Sequence, residues 1–157
     1  MMREVVDNIW KCHKASPSHW VVVSTNGFVK SNGACVMGRG IALEAARKFP
    51  TLPFELGKKL RDEGNHVFMW HEYGLVTFPV KHAWWEVADL VLLRRSALEL
   101  AAMFKGRTDI VCMPKVGCAN GKLEWAVVKP VLESAFKDWP HVLVVDRVAT
   151  KLERSST

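Results

Sequence analysis

Two glycine-bearing loops hold the residues of this 157-residue sequence whose types and spacing could do chemistry. The first loop follows an apolar run at residues 20–24 and contains Gly38 and Gly40, just before a helical pattern that begins at Ile41. Glycine lets the backbone approach a ligand closely, and the first turn of a helix presents N–H groups without partners. These features suit a phosphate or a sugar hydroxyl. The loop is neither a Walker A motif nor G-x-G-x-x-G, because Leu43 takes the last glycine position, so a structural turn explains it equally well.

The second loop follows another apolar run, at residues 110–113. Gly117, Cys118, Ala119, Asn120 and Gly121 follow one another in it, before the next helical pattern. Consecutive small residues allow backbone N–H groups to form a concave anion site. Two such loops on neighbouring strands could hold the two ends of an extended diphosphate ligand. Their joint occurrence therefore favours a binding function over two unrelated turns.

Lys81 follows a third apolar run, at residues 75–78, and precedes His82 and Trp84. A lysine after a strand is usually a solvated loop end. It becomes a nucleophile only when its amine loses a proton. Apolar neighbours would lower the pKa of this lysine, whereas a bound diphosphate would raise it. These effects oppose each other, so the sequence alone leaves the charge state of Lys81 open.

The composition predicts one soluble domain. Apolar residues make up 49% of the chain, and 22 Lys and Arg against 16 Asp and Glu give a net charge of +6, a moderate bias toward anionic partners. No apolar run approaches the ~20 residues of a membrane span, and the start lacks a signal-peptide pattern, so we expect a cytoplasmic protein. We also expect it to be a monomer. The four cysteines form no C-x-x-C pair, so we expect free thiols and neither a metal nor another cofactor.

Apolar runs rich in β-branched residues alternate with segments of helical spacing. The predicted strands cover 20–24, 67–70, 75–78, 110–113 and 142–145, with a weaker one at 5–10. The predicted helices cover 41–49, 53–63, 86–104 and 124–137, and Pro130 predicts a separate turn at 123–129 before the last helix. This alternation predicts a single α/β domain at 1–150, with helices on both faces of a mostly parallel sheet, and a frayed tail at 151–157.

Three segments together resemble macro domains, which bind ADP-ribose. They are Asn26 with Val36-Met37-Gly38-Arg39-Gly40-Ile41-Ala42, then Phe78-Pro79-Val80-Lys81, and Pro114 with Gly117-Cys118-Ala119-Asn120-Gly121 and Leu123-Glu124-Trp125. The resemblance extends to the subgroup that contains DarG, which removes ADP-ribose from thymidine in DNA, and the terminal ADP-ribose protein glycohydrolase. It implies a three-layer α/β/α macro-domain fold with a central mixed, mostly parallel six-stranded sheet.

The resemblance also implies a ligand site. Asn8 and Ile9 take the place of the Asp-Ile pair that reads the adenine in many macro domains, and the amide of Asn8 lacks the charge of that aspartate. Asn26 matches an asparagine near the distal ribose. The implied ribose and diphosphate contacts are Ala34, Cys35, Val36, Met37, Gly38, Gly40 and Ile41 in the first loop, and Val116, Gly117, Cys118, Ala119, Asn120 and Gly121 in the second.

Lys81 matches the lysine that the resemblance implies to be catalytic at the anomeric carbon of the distal ribose. A neutral amine can capture that carbon, or the opened aldehyde, as a Schiff base. The sequence departs from the subgroup twice. Asn120-Gly121 stands where the protein glycohydrolase has an aspartate, and in this the chain resembles the DNA-directed relatives. The sequence Lys81-His82-Ala83-Trp84 stands where relatives commonly have Lys-x-His-Trp. His82 is a candidate proton shuttle, and Trp84 is a candidate accessory residue.

Four functions remain compatible with the sequence. In order of preference they are a hydrolase that removes ADP-ribose from a DNA base or a protein, a non-catalytic ADP-ribose reader, an ADP-ribose 1″-phosphate phosphatase, and a module that binds nucleic acid by charge. The expected partners are ADP-ribose and ADP-ribosylated DNA or protein, with nucleic acid contacting a basic surface. The carrier stays open among thymidine, guanosine, Glu or Asp, and Ser.

Overall fold

The computed structural model describes residues 2–15 and 18–148, so the predicted tail at 151–157 lies outside the described residues. The strands are β1 (Arg3–Val6), β2 (His19–Asn26), β3 (Phe68–Trp70), β4 (Leu75–Lys81), β5 (Ile110–Met113) and β6 (Val142–Asp146). The helices are α1 (Ile9–Ala15), α2 (Gly40–Lys48), α3 (Leu52–Glu63), α4 (Leu90–Phe104) and α5 (Trp125–Ala135). None of these helices has the length and apolar character needed to cross a membrane.

The six strands form one sheet in the order β1-β6-β5-β2-β4-β3. Every neighbouring pair is parallel except β3 and β4, which are antiparallel. Side chains of β2 alternate between the two faces: Val22 packs with Leu93 of α4, whereas Val21 and Val23 pack with Leu56 of α3. The prediction of a three-layer α/β fold with a mixed, mostly parallel six-stranded sheet is confirmed.

The predicted strand at 5–10 is wrong in its second half. The strand β1 ends at Val6, and α1 begins at Ile9 because the side-chain oxygen of Asn8 accepts a hydrogen bond of 3.0 Å from the backbone N–H of Trp10. This is the geometry of a helix N-cap. A helix of only 7 residues has too few turns to show a helical period in the sequence.

The separate turn predicted at 123–129 is also wrong, because α5 runs without a break from Trp125 to Ala135 with Pro130 inside it. Proline removes one helical hydrogen bond and disfavours the helix at this position. Val128 and Leu132 lie on either side of Pro130, and both are fully buried in the core under the helix. Their burial offsets the cost of the proline and keeps the helix continuous.

Two of the four cysteines are paired, which corrects the prediction of four free thiols. Cys12 of α1 and Cys112 of β5 form a disulfide, whereas Cys35 and Cys118 are free. The helix α1 packs over the sheet against β2 and β5, which brings these two cysteines together. Their separation of 100 residues gives no signal in the sequence.

The helix α3 supports the first glycine loop through its backbone. The N–H of Cys35 donates to the carbonyl of Pro53 at 2.8 Å. One turn further along the helix, Gly57 lies directly against the carbonyl of Gly33, so that a side-chain carbon at position 57 would clash with that oxygen. The close approach of the loop to α3 therefore requires a glycine at position 57.

We expect Gly57→Ala to destabilise the protein by about 1–3 kcal/mol, because the added methyl group overpacks this contact. In an unobstructed helix the same change would stabilise by up to ~1 kcal/mol, so the sign of the effect identifies the clash. Urea unfolding measures the difference. Gly38→Ala is the control, because no atom lies within 4 Å of its added carbon. A Gly57→Ala variant as stable as the wild type would contradict the account.

Candidate functional site

A cleft of about 1150 Å³ lies at the carboxyl ends of the parallel strands. Its lining comes from residues 7–10 after β1, 24–26 of β2, 80–81 of β4, 114–115 after β5, and 145–148 at and after the end of β6. Parallel strands end at the same edge of a sheet, and the loops that follow them surround a common site. The lining of the cleft therefore comes from the carboxyl ends of five of the six strands and from the loops that follow them.

One side of the cleft is the N-terminus of α2, where Gly38, Arg39, Gly40, Ile41 and Ala42 form the lining. The N-cap residue Arg39 is extended and makes no side-chain capping bond, and the first turn carries no acidic residue. Gly40 has a φ of +54°, which other residues rarely adopt. The first N–H groups of α2 are thus available to a ligand, and the helix dipole favours an anion there.

The opposite side is the second glycine loop. Gly117 has a φ of +76°, and its carbonyl accepts a bond of 2.9 Å from the N–H of Leu123, which closes the loop. Gly121 packs so closely on Gly117 that an added side-chain carbon would lie 2.5 Å from the Gly117 oxygen. Both glycines are needed for this turn. Between them, Cys118, Ala119 and Asn120 line the cleft.

The two loops meet beside Lys81. A side-chain carbon on Gly40 would lie 3.1 Å from Nδ2 of Asn120, so the loops are in contact there. The Nζ atom of Lys81 donates to the carbonyl of Asn120 at 3.1 Å and to the carbonyl of Trp84 at 3.4 Å. The lysine amine therefore lies where β4, the second loop and the loop after β4 come together.

The backbone of Lys81 is fixed as firmly as its side chain. Lys81 pairs with Asn26 across β4 and β2, at an irregularity in the register after Thr25. Its carbonyl accepts from the N–H of Gly27 at 3.1 Å and from Nδ2 of Asn65 at 3.1 Å. These two donors hold the end of β4 against the loop that leaves β2.

Burial lowers the pKa of Lys81 from its ordinary value, and the positive charges of Arg39 and Lys122 lower it further. The amine donates to the carbonyls of Asn120 and Trp84, and in its neutral form these acceptors would use both N–H donors and leave the lone pair for a reacting carbon. Burial and the two cations ease the loss of the proton that a nucleophilic lysine must give up.

Solved structures of other proteins share this fold. The macrodomain of Mycobacterium tuberculosis DarG matches with a TM-score of 0.71 at 23% identity, over 96% of this chain and 99% of that one. The chain has the macrodomain fold. Thermosipho africanus DarTG in complex with ADP-ribose matches this chain with a TM-score of 0.67 at 17% identity, over 85% of this chain and 39% of that one.

The sequence comparison points to the same kind of protein. The DNA ADP-ribosyl glycohydrolase of Mycobacterium tuberculosis is 28% identical to this chain over an alignment of 120 residues that covers 68% of this chain and 33% of that protein. The chain therefore spans about a third of the length of the curated relative it matches. No protein-family model matches the chain.

Most of the site residues that the sequence predicts line the cleft. They are Asn8, Ile9, Asn26, Val36, Gly38, Gly40, Ile41, Lys81, Trp84, Gly117, Cys118, Ala119, Asn120 and Gly121. The predicted residues outside the lining are Ala34, Cys35, Met37, Val116 and His82. The first four are buried beneath the loops that they belong to. The ring of His82 bonds Asp89 at 2.9 Å, and that carboxylate caps α4.

The side chains of two asparagines in the cleft, Asn8 and Asn26, form hydrogen bonds that stabilise the local fold. Asn26 donates through Nδ2 to the carbonyl of Val36 and accepts through Oδ1 from the N–H of Phe28, both at 2.9 Å, which folds the first loop back onto β2. Asn8 caps α1 as described above. The neighbouring Asp7 also lines the cleft, so a carboxylate is present one residue before the position where the resemblance expects it.

Among the described residues, neither the two free cysteines nor the side chains that could bind a metal ion form a further reactive site. Burial raises the pKa of Cys35 to about 12 and also raises the pKa of Cys118, so both thiols stay protonated and weakly nucleophilic. Within residues 2–15 and 18–148, no three His, Cys, Asp or Glu side chains are grouped to hold a metal ion. Among these residues, the Lys81 amine is the group whose pKa is shifted toward its nucleophilic form.

Sequence reasoning missed several charged and aromatic residues that line the cleft. They are Asp7, Phe28, Lys30, Arg39 and Lys122. Arg39 and Lys122 lie within the two glycine loops, and their position beside the glycines was a usable signal. Phe28 and Trp85 meet across 57 residues of sequence, which no local pattern indicates.

We expect Lys81 to titrate below the ordinary lysine value of 10.5, because burial and two cations disfavour its charged form. Lys122→Gln removes one of these cations and should raise the pKa of Lys81. NMR titration of the lysine side chains, with Lys81→Arg to assign the signal, measures both values. Lys105→Gln, at the far end of α4, is the control and should leave the pKa unchanged. A Lys81 pKa at or above 10.5 would contradict the electrostatic account.

Proposed function

We propose that the chain binds ADP-ribose and acts as an ADP-ribosyl glycohydrolase, with Lys81 as the catalytic residue. A DNA base is the favoured carrier of the ADP-ribose, and a protein side chain is the alternative. The observation that carries the proposal is the Lys81 amine, bonded to the carbonyls of Asn120 and Trp84 at the meeting point of the two glycine loops. The likeness to a DNA ADP-ribosyl glycohydrolase supports it.

The strand order supports an extended ligand. Asn8 follows β1 and Lys81 ends β4, and four strand spacings separate these strands in the sheet. At about 4.8 Å per spacing, the two ends of the cleft lie roughly 19 Å apart, which suits an extended nucleoside diphosphate sugar. In this pose the adenine lies by Asn8 and Ile9, and the distal ribose lies by Lys81. A ligand of the same kind is bound in the Thermosipho africanus DarTG structure.

The diphosphate then lies between the two glycine loops. The N-terminus of α2 supplies free N–H groups from one side, and residues 117–121 supply a compact loop from the other. Arg39 and Lys122 line the same part of the cleft and offset the phosphate charge. Without such cations, the diphosphate would raise the pKa of Lys81 and keep its amine protonated.

The reaction that we propose is hydrolysis of the bond between the anomeric carbon of the distal ribose and its carrier. This bond breaks with its electron pair going to the carrier, which takes a proton from water. The lone pair of the Lys81 nitrogen forms a bond to the same carbon, and the nitrogen gives one proton to the hydroxide that the first water left. The bond from this carbon to the ring oxygen then breaks, the ring oxygen takes the second nitrogen proton, and a Schiff base results. Water then adds to that carbon and expels the lysine amine, which releases ADP-ribose.

The decisive experiment is a hydrolysis panel with the wild type, Lys81→Ala and the control Lys105→Ala. The substrates are DNA ADP-ribosylated on thymidine or guanosine, protein ADP-ribosylated on Glu or Asp or on Ser, and ADP-ribose 1″-phosphate. We expect the wild type to release ADP-ribose from modified DNA. Lys81→Ala should lose at least about 10²-fold in kcat, while calorimetry shows ADP-ribose binding within about threefold of wild type. Lys105→Ala should behave as wild type.

Other outcomes select the remaining functions. Full turnover by Lys81→Ala would contradict the role of the lysine. Binding of ADP-ribose by the wild type, without release from any carrier, would make the protein a reader. Release of phosphate that survives the Lys81 change would identify a phosphatase.

A further inference from the structure

The loop between α3 and β3 reaches the backbone of Lys81 from outside the cleft. The side-chain nitrogen Nδ2 of Asn65, in this loop, donates to the carbonyl of Lys81 at 3.1 Å. Asn65 does not belong to the lining of the cleft, so it does not face the bound ligand. A hydrogen bond from outside a site can fix a reactive residue in its productive geometry.

The contact between Asn65 and Lys81 is so compact that it requires a glycine at position 27. A side-chain carbon on Gly27 would lie 2.7 Å from Nδ2 of Asn65 and 3.2 Å from the carbonyl oxygen of His82. The backbone of Gly27 does not have a positive φ, so the space taken by Asn65, and not the backbone angle, excludes a side chain. The N–H of Gly27 is shared between the carbonyls of Lys81 at 3.1 Å and His82 at 3.2 Å.

The helix α4 holds the loop of Asn65 in place. The guanidinium of Arg95 donates to the carbonyl of Asn65. One turn further along α4, the carboxylate of Glu99 accepts from the N–H of Val67 at 3.0 Å and bonds the ring of His66 at 2.7 Å. Residues four apart lie on the same face of a helix, so Arg95 and Glu99 act on one short stretch of the loop. The amide of Asn65 therefore has a defined position relative to β4.

The amide of Asn65 is half used. Its oxygen Oδ1 is buried, and no described residue donates to it. A buried oxygen without a partner lowers stability, and such groups in a native protein often have a functional reason. Stability alone therefore does not favour an amide at position 65, whereas the carbonyl of Lys81 uses the donor that this amide supplies.

Lys81 is thus held at both ends. Its amine donates to the carbonyls of Asn120 and Trp84, and its own carbonyl accepts from Asn65. A lysine side chain is a flexible stem, so the amine stays in one place only when the backbone that carries it is also fixed. A misplacement of about 1 Å can lower the rate of a reaction by about 10²-fold.

We propose that Asn65 is a positioning residue, which holds the backbone of Lys81 so that its amine stays between the carbonyls of Asn120 and Trp84. The inference rests on the proposed function and adds a residue outside the cleft to the groups that the reaction needs. Because Asn65 is not part of the lining, its loss should lower the rate of the chemical step and leave the affinity for ADP-ribose unchanged.

Asn65→Ala is the direct test, because it removes the bond to Lys81 and no bond to Oδ1. NMR titration should find the pKa of Lys81 raised toward 10.5, since a less constrained amine moves away from its buried site and from the two cations. On the modified DNA and protein of the hydrolysis panel, kcat should fall at least about tenfold, with the Kd for ADP-ribose within about twofold of wild type.

Ser96→Ala is the matched control. The hydroxyl of Ser96, on α4, donates to the carbonyl of Pro79, two residues before Lys81 on the same strand. This variant also removes one bond from a side chain to a β4 carbonyl. It should lower the stability to urea and keep both the pKa of Lys81 and kcat at their wild-type values.

Gly27→Ala is a second variant that acts on the same contact. The added methyl group displaces the amide of Asn65 and should raise the pKa of Lys81 and lower kcat, as Asn65→Ala does. The double variant should be no worse than either single one, because the two changes disrupt one contact. An unchanged pKa and kcat in Asn65→Ala, equal changes in Ser96→Ala, or additive losses in the double variant would overturn the inference.

The outcome is separable from that of the proposed function, because the pKa of Lys81 is measured without turnover. A raised pKa in Asn65→Ala, together with a wild type that releases ADP-ribose from no carrier, would retain the positioning role and refute the hydrolase. Release of ADP-ribose by the wild type, with the pKa and kcat of Asn65→Ala unchanged, would do the reverse.

Discussion

The hydrogen bond from the Lys81 amine to the carbonyl of Asn120 joins the two parts of the site that come from different strands. It connects the end of β4 to the second glycine loop, and the same loop contacts the start of α2 at Gly40. Burial and two nearby cations disfavour the charged amine, which is useful for a nucleophile. The amine therefore lies where the two loops converge.

The order of strands sets the length of the cleft. With β1 and β4 separated by β6, β5 and β2, the helix that starts at Ile9 and the lysine that ends β4 lie at opposite ends of one groove. In the proposed pose, the pairing of β1 with β6 therefore sets the distance between the adenine end and the ribose end of the ligand. A shorter arrangement of the same strands would bring Lys81 too close to the N-terminus of α1 for an extended ligand.

The parts of the site that could be predicted from the sequence are those in which the local backbone requires a particular residue type. Gly40 and Gly117 have backbone angles that favour glycine, so their loops were recognisable, and apolar runs predicted the buried strands. Long-range features were not predictable in this way. The pairing of Cys12 with Cys112 and the contact of Phe28 with Trp85 follow from topology, and the continuity of α5 through Pro130 follows from burial in the assembled core.

The most direct test of the account is the capture of the covalent intermediate on Lys81. Incubation with ADP-ribosylated single-stranded DNA and cyanoborohydride, followed by peptide mass spectrometry, should find ADP-ribose attached to Lys81, because the hydride reduces a Schiff base to a stable amine. The Lys81→Ala variant treated in the same way should carry no such attachment elsewhere in the cleft. Continued release of ADP-ribose by the wild type with no adduct on Lys81, or with the adduct on another lysine, would contradict the account.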